Sequence, residues 1–115
     1  MHEISLVQGL LQQLHDIAEQ HNTSRVLKVT MAIGPLSGVV VESFRFGFDI
    51  LSQGDELVRD ARLEIFVPEV SYRCSGCGHV LKTDAGRPQQ CSACGDTLLI
   101  GEDGDDLILQ QVEME

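Results

Sequence analysis

Basic residues are scarce in this chain of 115 residues. Lys and Arg number 8 against 18 Asp and Glu, which gives a formal net charge of −10. Phosphate binding depends on clustered Lys and Arg that release counterions, and the few basic residues here are scattered. The composition therefore argues against nucleic-acid binding and favours basic protein partners or cations.

Long hydrophobic runs are also missing. No run approaches the roughly 20 apolar residues that a membrane-spanning helix needs, and no basic segment precedes an apolar stretch near the start of the chain. We therefore expect a cytoplasmic protein without membrane association. Disulfides are rare in that reducing compartment, so the four cysteines indicate metal binding instead.

Motifs for catalysis are lacking too. The sequence has no Gly-rich phosphate loop and no nucleophile–base set in a recognisable motif. We expect that the protein is not an enzyme. Its apolar fraction of 43% is nevertheless typical of a globular chain rather than a disordered one.

Two segments have helical periodicity. Apolar residues at steps of three and four predict an amphipathic helix from Ile4 to Ala18, with Asn22 as its C-terminal stop. A second helix is predicted from about Val40 to Ser52, with Phe44 and Phe48 on one face. Such apolar stripes usually belong to the core.

Three segments alternate with the period of a strand: Val26–Ile33, Arg62–Pro68 and Leu107–Met114. Before the last of them, the stretch from Ser71 to Leu99 is rich in Gly, Ser and Cys and poor in core-forming residues. A segment of this size and composition needs a metal or a disulfide to fold.

The predicted fold class is α+β, with two helices packed on a small three-stranded sheet and a zinc-ribbon lobe inserted before the last strand. We expect two domains: an α/β domain formed by residues 1–70 together with 104–115, and a zinc-ribbon domain formed by residues 71–103.

The cysteines form two CxxC pairs, each followed by glycine: Cys74, Cys77, Gly78 and Cys91, Cys94, Gly95. Two intervening residues let both thiolates of a pair reach one tetrahedral ion, and glycine permits the tight turn. Two such knuckles separated by a short hairpin form a zinc ribbon. Four protein ligands leave no open position for a substrate, so the predicted zinc is structural.

Other interpretations of the cysteines remain open. Iron in a rubredoxin-like site uses the same ligands, which would make the protein an electron carrier. A zinc ribbon can also serve as a protein–protein interaction module that carries no transported metal. His79 lies beside the first pair, either as a competing ligand or as a surface histidine.

The chain opens Met1-His2-Glu3. An N-terminal amine, a backbone nitrogen and an imidazole close together form fused chelate rings that favour square-planar Ni(II) or Cu(II). His2, with Met1 and Glu3 as further donors, is therefore a candidate metal site.

Four segments in this order resemble the HypA/HybF hydrogenase maturation family: the Met1-His2-Glu3-Ile-Ser-Leu start, the stretch from Val29 to Gly38, the Phe44–Phe48 segment and the two CxxCG pairs. The resemblance covers essentially the whole chain. It implies a nickel metallochaperone that carries Ni(II) to the large subunit of [NiFe] hydrogenase and works with a nickel-insertion GTPase. A weak homodimer is compatible with this resemblance.

Transferred residue by residue, the resemblance implies nickel at His2, through its imidazole and backbone nitrogen, with contributions from Met1 and Glu3. It implies structural zinc at the four cysteines, and it makes the N-terminal helix and the sheet the nickel-binding domain. Some relatives have histidines beside both cysteine pairs, whereas this chain has His79 and then Gly95. A role for such histidines at the zinc site is therefore not implied.

Overall fold

The computed structural model describes residues 2–84 and 86–115, with side chains from Glu3 onwards. Its elements are α1 His2–Gln20, β1 Val26–Ile33, α2 Val41–Gln53, β2 Arg62–Phe66, β3 Val70–Cys74, β4 Val80–Thr83, β5 Leu99–Gly101 and β6 Leu107–Met114. The strands form two three-stranded sheets. The predicted α+β class is confirmed. Among the described residues, no helix combines the length and apolarity that a membrane crossing requires.

The first sheet has the order β2-β1-β6. Strands β1 and β2 run parallel, with α2 in the connection between them, while β6 pairs antiparallel with β1. A parallel pair needs a crossover of this kind, because a tight turn cannot reverse the chain twice. We call α1, α2 and this sheet the helix–sheet unit.

The core of the helix–sheet unit joins one face of each helix to the sheet. Its buried residues are Val7, Leu10, Leu14, Ala18, Val26, Val29, Met31, Ile33, Phe44, Phe48, Leu57, Val58 and Leu63. Each fully buried large side chain contributes roughly 1.5–3 kcal/mol of transfer free energy. The apolar stripes of both predicted helices are therefore core, as expected.

Helix α1 ends as the sequence predicted. Asn22 adopts a left-handed φ of 52°. The Thr23 N–H donates to the Ala18 carbonyl at 3.0 Å and the Asn22 N–H to that of Glu19 at 3.3 Å. These two bonds form a Schellman motif, which satisfies carbonyls that the last turn leaves without partners.

Two strands depart in detail from simple alternation. The register of β1 against β6 shifts between Val26 and Lys28, so Val26 is buried while Leu27 is 43% exposed. Strand β2 ends at Phe66, short of the predicted end at Pro68. Proline has no N–H to donate to a ladder, which is consistent with the earlier end.

The second sheet has the order β4-β3-β5, and both of its pairings are antiparallel. We call residues 70–101 the cysteine lobe. The first CxxC pair turns the chain from β3 into β4. We expected a hairpin between the two knuckles, and for the described residues this expectation is wrong. Strand β4 lies there, and it pairs antiparallel with β3, which precedes the first knuckle.

The molecule is elongated. It measures 55 × 27 × 17 Å, and its radius of gyration is 17.7 Å, against about 13 Å for a compact chain of this length. The lobe has a core cluster of its own, formed by Val70, Tyr72, Cys74, Cys91 and Leu99 with Leu36 packed against it. The two clusters are separate, and the division into two domains with the boundaries given above stays a prediction.

Candidate metal centre

The four cysteine sulfurs lie within 4.8 Å of one another. Cys74 Sγ is 3.6 Å from Cys94 Sγ, and Cys77 Sγ is 3.7 Å from Cys91 Sγ. A tetrahedral ion with bonds of about 2.3 Å to sulfur places its ligands about 3.8 Å apart. A disulfide would need sulfurs about 2.05 Å apart. The cluster therefore fits a shared ion, not disulfide bonds.

Backbone N–H groups point at the sulfur that opens each pair. Gly76 donates to Cys74 Sγ at 3.4 Å, and Ala93 donates to Cys91 Sγ at 3.4 Å. The two knuckles thus have the same local geometry. Such donors stabilise the thiolate form, which is the form that binds metal.

The glycine after each pair closes the turn. Gly78 donates to the Cys74 carbonyl at 3.0 Å, and Gly95 donates to the Cys91 carbonyl at 2.9 Å. Their φ angles are 77° and 80°, in the left-handed region that side chains with a Cβ disfavour. The predicted reason for a glycine at both positions is confirmed.

Burial divides the four sulfur ligands. Cys74 and Cys91 are buried in the lobe cluster, whereas Cys77 and Cys94 are exposed. An ion held here would therefore contact the lobe core on one side and lie near solvent on the other. This position lets a metal bind the two knuckles together and anchor both of them to the sheet.

The thiols ionise unequally in the absence of metal. Backbone N–H groups of Cys94 and Ala93 lower the pKa of Cys91 to about 6. A backbone N–H of Asp96 lowers the pKa of Cys94, but the neighbouring sulfurs and burial raise it more strongly, to about 12. A backbone N–H of His79 and the Cys94 sulfur lower the pKa of Cys77, but burial and the sulfurs of Cys91 and Cys74 outweigh them and raise it. Four thiolates in one place need a cation to offset their charge.

His79 lies outside the four-sulfur cluster, as the surface interpretation predicted. Its side chain is exposed, and its Nε2 is 3.5 Å from the hydroxyl of Ser92 in the second knuckle. Nearby, the Arg73 guanidinium pairs with Glu102 at 3.0 Å. Within the described residues, the candidate ligands at this centre are therefore sulfur alone.

The N-terminal candidate is only partly described. Met1 and the side chain of His2 lie outside the described residues, and α1 begins at His2. Glu3 is 6% exposed, and its carboxylate accepts a hydrogen bond from the Val40 N–H at 3.2 Å. The structure therefore places one of the three predicted nickel residues, and the nickel site stays a prediction.

Comparison with known proteins identifies the family. A profile described as "Hydrogenase/urease nickel incorporation, metallochaperone, hypA" matches residues 1–114. The chain belongs to the HypA family. The resemblance drawn from the sequence is confirmed, and so is the assignment to a family of nickel-incorporation metallochaperones involved in hydrogenase maturation.

Individual HypA proteins match over their whole length. The chain is 34% identical over 116 residues to the hydrogenase maturation factor HypA of Caldanaerobacter subterraneus subsp. tengcongensis, covering 100% of both chains. It is 36% identical over 115 residues to that of Alkalilimnicola ehrlichii, again covering 100% of both. The solution structure of the nickel metallochaperone HypA from Helicobacter pylori superposes with a TM-score of 0.67 at 27% identity, covering 99% of this chain and 97% of that one.

Sequence reasoning missed Tyr72 and Leu36, which support the sulfur cluster of this chain. Tyr72 is 1% exposed, and the Arg87 guanidinium lies 5.3 Å from the centre of its ring. Arg87 also donates to the Leu99 carbonyl at 2.6 Å. Leu36 arrives from the loop after β1. The alternation of Val70, Tyr72 and Cys74 was the available signal for this lobe core.

Proposed function

We propose that the protein carries Ni(II) at its N-terminus and delivers it to the large subunit of [NiFe] hydrogenase, with a nickel-insertion GTPase as its partner. The observation that carries the proposal is the family match from residue 1 to residue 114, which includes the N-terminal motif and both cysteine pairs. The names of the relatives, hydrogenase maturation factors, support the pathway.

The nickel ligands are assigned to His2, through its imidazole and backbone nitrogen, with Met1 and Glu3. The first N–H groups of a helix have no intrahelical acceptor. Helix α1 begins at His2, so these backbone nitrogens can bind an ion without breaking a helical hydrogen bond. The Glu3 carboxylate bonds to the Val40 N–H, which favours the Glu3 backbone nitrogen over its side chain as a donor.

The four cysteines are assigned to one structural zinc ion. Their sulfur spacing suits tetrahedral coordination, and four protein ligands leave no open position for a substrate. This argues for a metal that folds the lobe and against catalysis. The two proposed metals therefore have different tasks, one permanent in the lobe and one transported at the start of α1.

Release is the requirement that sets a carrier apart from a structural site. A site at a chain end, built from few nitrogen donors, can approach the thiolates of an acceptor and lose its ion by ligand exchange. Nickel takes nitrogen and sulfur donors in square-planar geometry, so such an exchange suits the ion. The proposal is therefore delivery, and no residue is assigned a catalytic role.

Calorimetric titration of untagged protein with Ni(II) tests the assignment, with zinc content measured in every sample. His2→Ala should abolish nickel binding and leave zinc content unchanged. His21→Ala is the matched control, since His21 is an exposed histidine after the end of α1. Unaltered nickel affinity in His2→Ala would show that the site is elsewhere.

The same measurement separates the alternative functions. Wild-type protein that holds zinc and takes up no nickel would instead be a zinc-ribbon interaction module. A red iron chromophore would identify an electron carrier. The nickel proposal requires one zinc that resists dialysis and one nickel that does not.

A further inference from the structure

Residues of α1 and α2, and of the turn after α2, line a stretch of open surface on the helix–sheet unit. It consists of two pockets of about 420 and 560 Å³. Ile4 lines the first pocket and Gln8 the second, and residues four apart are neighbours on one helix face, so the pockets follow one another along α1. We call this surface the helix groove; its apolar lining residues are Ile4, Leu11, Phe46 and Leu51.

Phe46 is the most exposed large apolar residue beside the helix groove. It is 65% exposed, and Ile50, one turn further along α2, is 52% exposed. Gly47 brings the helices together here, because an added Cβ would lie 2.9 Å from Ile4 Cδ1. An aromatic side chain standing beside a preformed apolar cleft is the usual anchor of a protein interface.

The rim of the helix groove is acidic. Glu42 lines the first pocket and Glu56 the second, both are exposed, and no Lys or Arg lines either pocket among the described residues. Asp55 also lines the second pocket, where its carboxylate is 2.6 Å from His15 Nε2. Residues 1–20 contain no Lys or Arg. The guanidinium of Arg45 on α2 donates to the Leu63 carbonyl at 3.1 Å, so it is engaged with the sheet. The groove therefore combines apolar residues with exposed acidic ones.

We propose that the helix groove binds an amphipathic helix of a protein partner, with one apolar face and Lys or Arg along its flanks. Helix-in-groove recognition uses apolar anchors at i, i+3, i+4 and i+7. The groove extends along α1 from Ile4 to His15, about 16 Å or three helical turns. A second copy of this chain fits poorly, because two acidic rims would face each other.

The position of the helix groove connects it to nickel transfer. Ile4 lies in its first pocket, two residues after His2, so a docked helix would end beside the start of α1. This role in transfer rests on the proposed function. The docking itself depends only on the shape and charge of the two helices.

Fluorescence anisotropy with a designed peptide tests the proposal. The probe is a labelled helical peptide of about 14 residues, with Leu at i, i+3, i+4 and i+7 and Lys along both flanks. The control peptide has Glu in place of every Lys. We expect the Lys peptide to bind at least about tenfold more tightly than the Glu peptide, and added salt to weaken it.

Matched variants locate the binding surface. Phe46→Ala should weaken binding of the Lys peptide by about tenfold or more, the effect of truncating an interface anchor. Phe66→Ala is the control, because Phe66 is 54% exposed on β2, outside the groove. Glu56→Lys should weaken binding as well, whereas Glu69→Lys, at an exposed site outside the helix groove, should not.

Several outcomes would overturn the proposal. Equal binding of the two peptides would show that charge does not select the partner. Equal effects of Phe46→Ala and Phe66→Ala would show that the peptide does not bind in the helix groove. Sedimentation showing that Phe46→Ala separates a dimer would make a second copy the occupant. Nickel titration of Phe46→Ala, expected to match wild type, keeps this result separate from a failure of the nickel proposal.

Discussion

The helix–sheet unit and the cysteine lobe differ in the size and composition of their buried cores. Within residues 3–84 and 86–115, thirteen buried apolar residues form the core of the helix–sheet unit, whereas five buried residues form that of the lobe, and two of those five are cysteines of the sulfur cluster. A core as small as the second cannot offset the conformational entropy of ordering its chain. The comparison predicts that the hydrophobic pattern folds one region, whereas the other needs a bound ion.

Removing one sulfur ligand should have the largest effect, and it should stay local. Cys91→Ser breaks the tetrahedral set, so the lobe loses an interaction of about 10–16 kcal/mol, as measured for structural zinc in small peptides. We expect zinc content near zero, rapid proteolysis within residues 70–101, and retained helical circular dichroism.

The neighbouring exposed residue provides the control for that experiment. Ser92→Ala changes one oxygen beside the cluster and should retain stoichiometric zinc. If Cys91→Ser also lost the helical signal, the two regions would fold as one unit, and the contrast drawn here would be wrong.

Truncating the core of the helix–sheet unit should destabilise that unit and leave zinc binding by the lobe unchanged. Phe44 is 0% exposed, and Phe44→Ala should lower the free energy of unfolding by about 3–5 kcal/mol through lost burial and a cavity. Chemical denaturation followed by circular dichroism measures this, with Phe46→Ala on the same helix as the exposed control. Zinc content should stay stoichiometric in both variants, and loss of zinc in Phe44→Ala would contradict independent folding.

The same contrast explains what the sequence could predict. The sequence predicted the bounds of α1, α2, β1 and β6 nearly to the residue. In these elements one face is buried, so apolar residues recur with the period of the helix or strand. The strands of the lobe were not foreseen. Strand β5 has three residues, and β4 alternates between intermediate and exposed side chains, so neither has a period long enough to detect.

The sulfur cluster was predictable because its spacing is local and chemical. Each CxxC pair forms within one turn, so sequence distance already fixes the distance between sulfurs. The contacts between Glu3 and Val40, and between Leu36 and the lobe, join residues far apart in sequence. Such pairings depend on how the elements pack, and a single sequence has no local signal for them.

Lowering the pH should weaken zinc binding to the lobe without affecting the core of the helix–sheet unit. At pH 7 Cys91, with a pKa of about 6, is mostly thiolate, whereas Cys94, with a pKa of about 12, and Cys77, whose pKa is also raised, keep their protons. Zinc must displace at least these two protons, so its affinity should rise at least about a hundredfold per pH unit between pH 7 and 8.

Below about pH 6 Cys91 also takes up a proton in the metal-free lobe, so the dependence should steepen there. Competition with a chelator of known proton affinity, repeated across this range, measures the slope. A zinc affinity that does not change with pH would mean that the ligands are already ionised before the metal binds.

The smallest predicted effect concerns Leu36, which packs from the helix–sheet unit into the lobe cluster. Leu36 is partly buried, so Leu36→Ala should cost about 1–2 kcal/mol, less than a fully buried leucine. Its side chain also occupies the space beside Gly101, so its loss should free the lobe to reorient.

NMR relaxation of Leu36→Ala should then give the two regions different rotational correlation times. The control Leu27→Ala, at an exposed leucine of β1, should leave them equal. Equal times in both variants would mean that contacts other than the Leu36 side chain hold the two regions together.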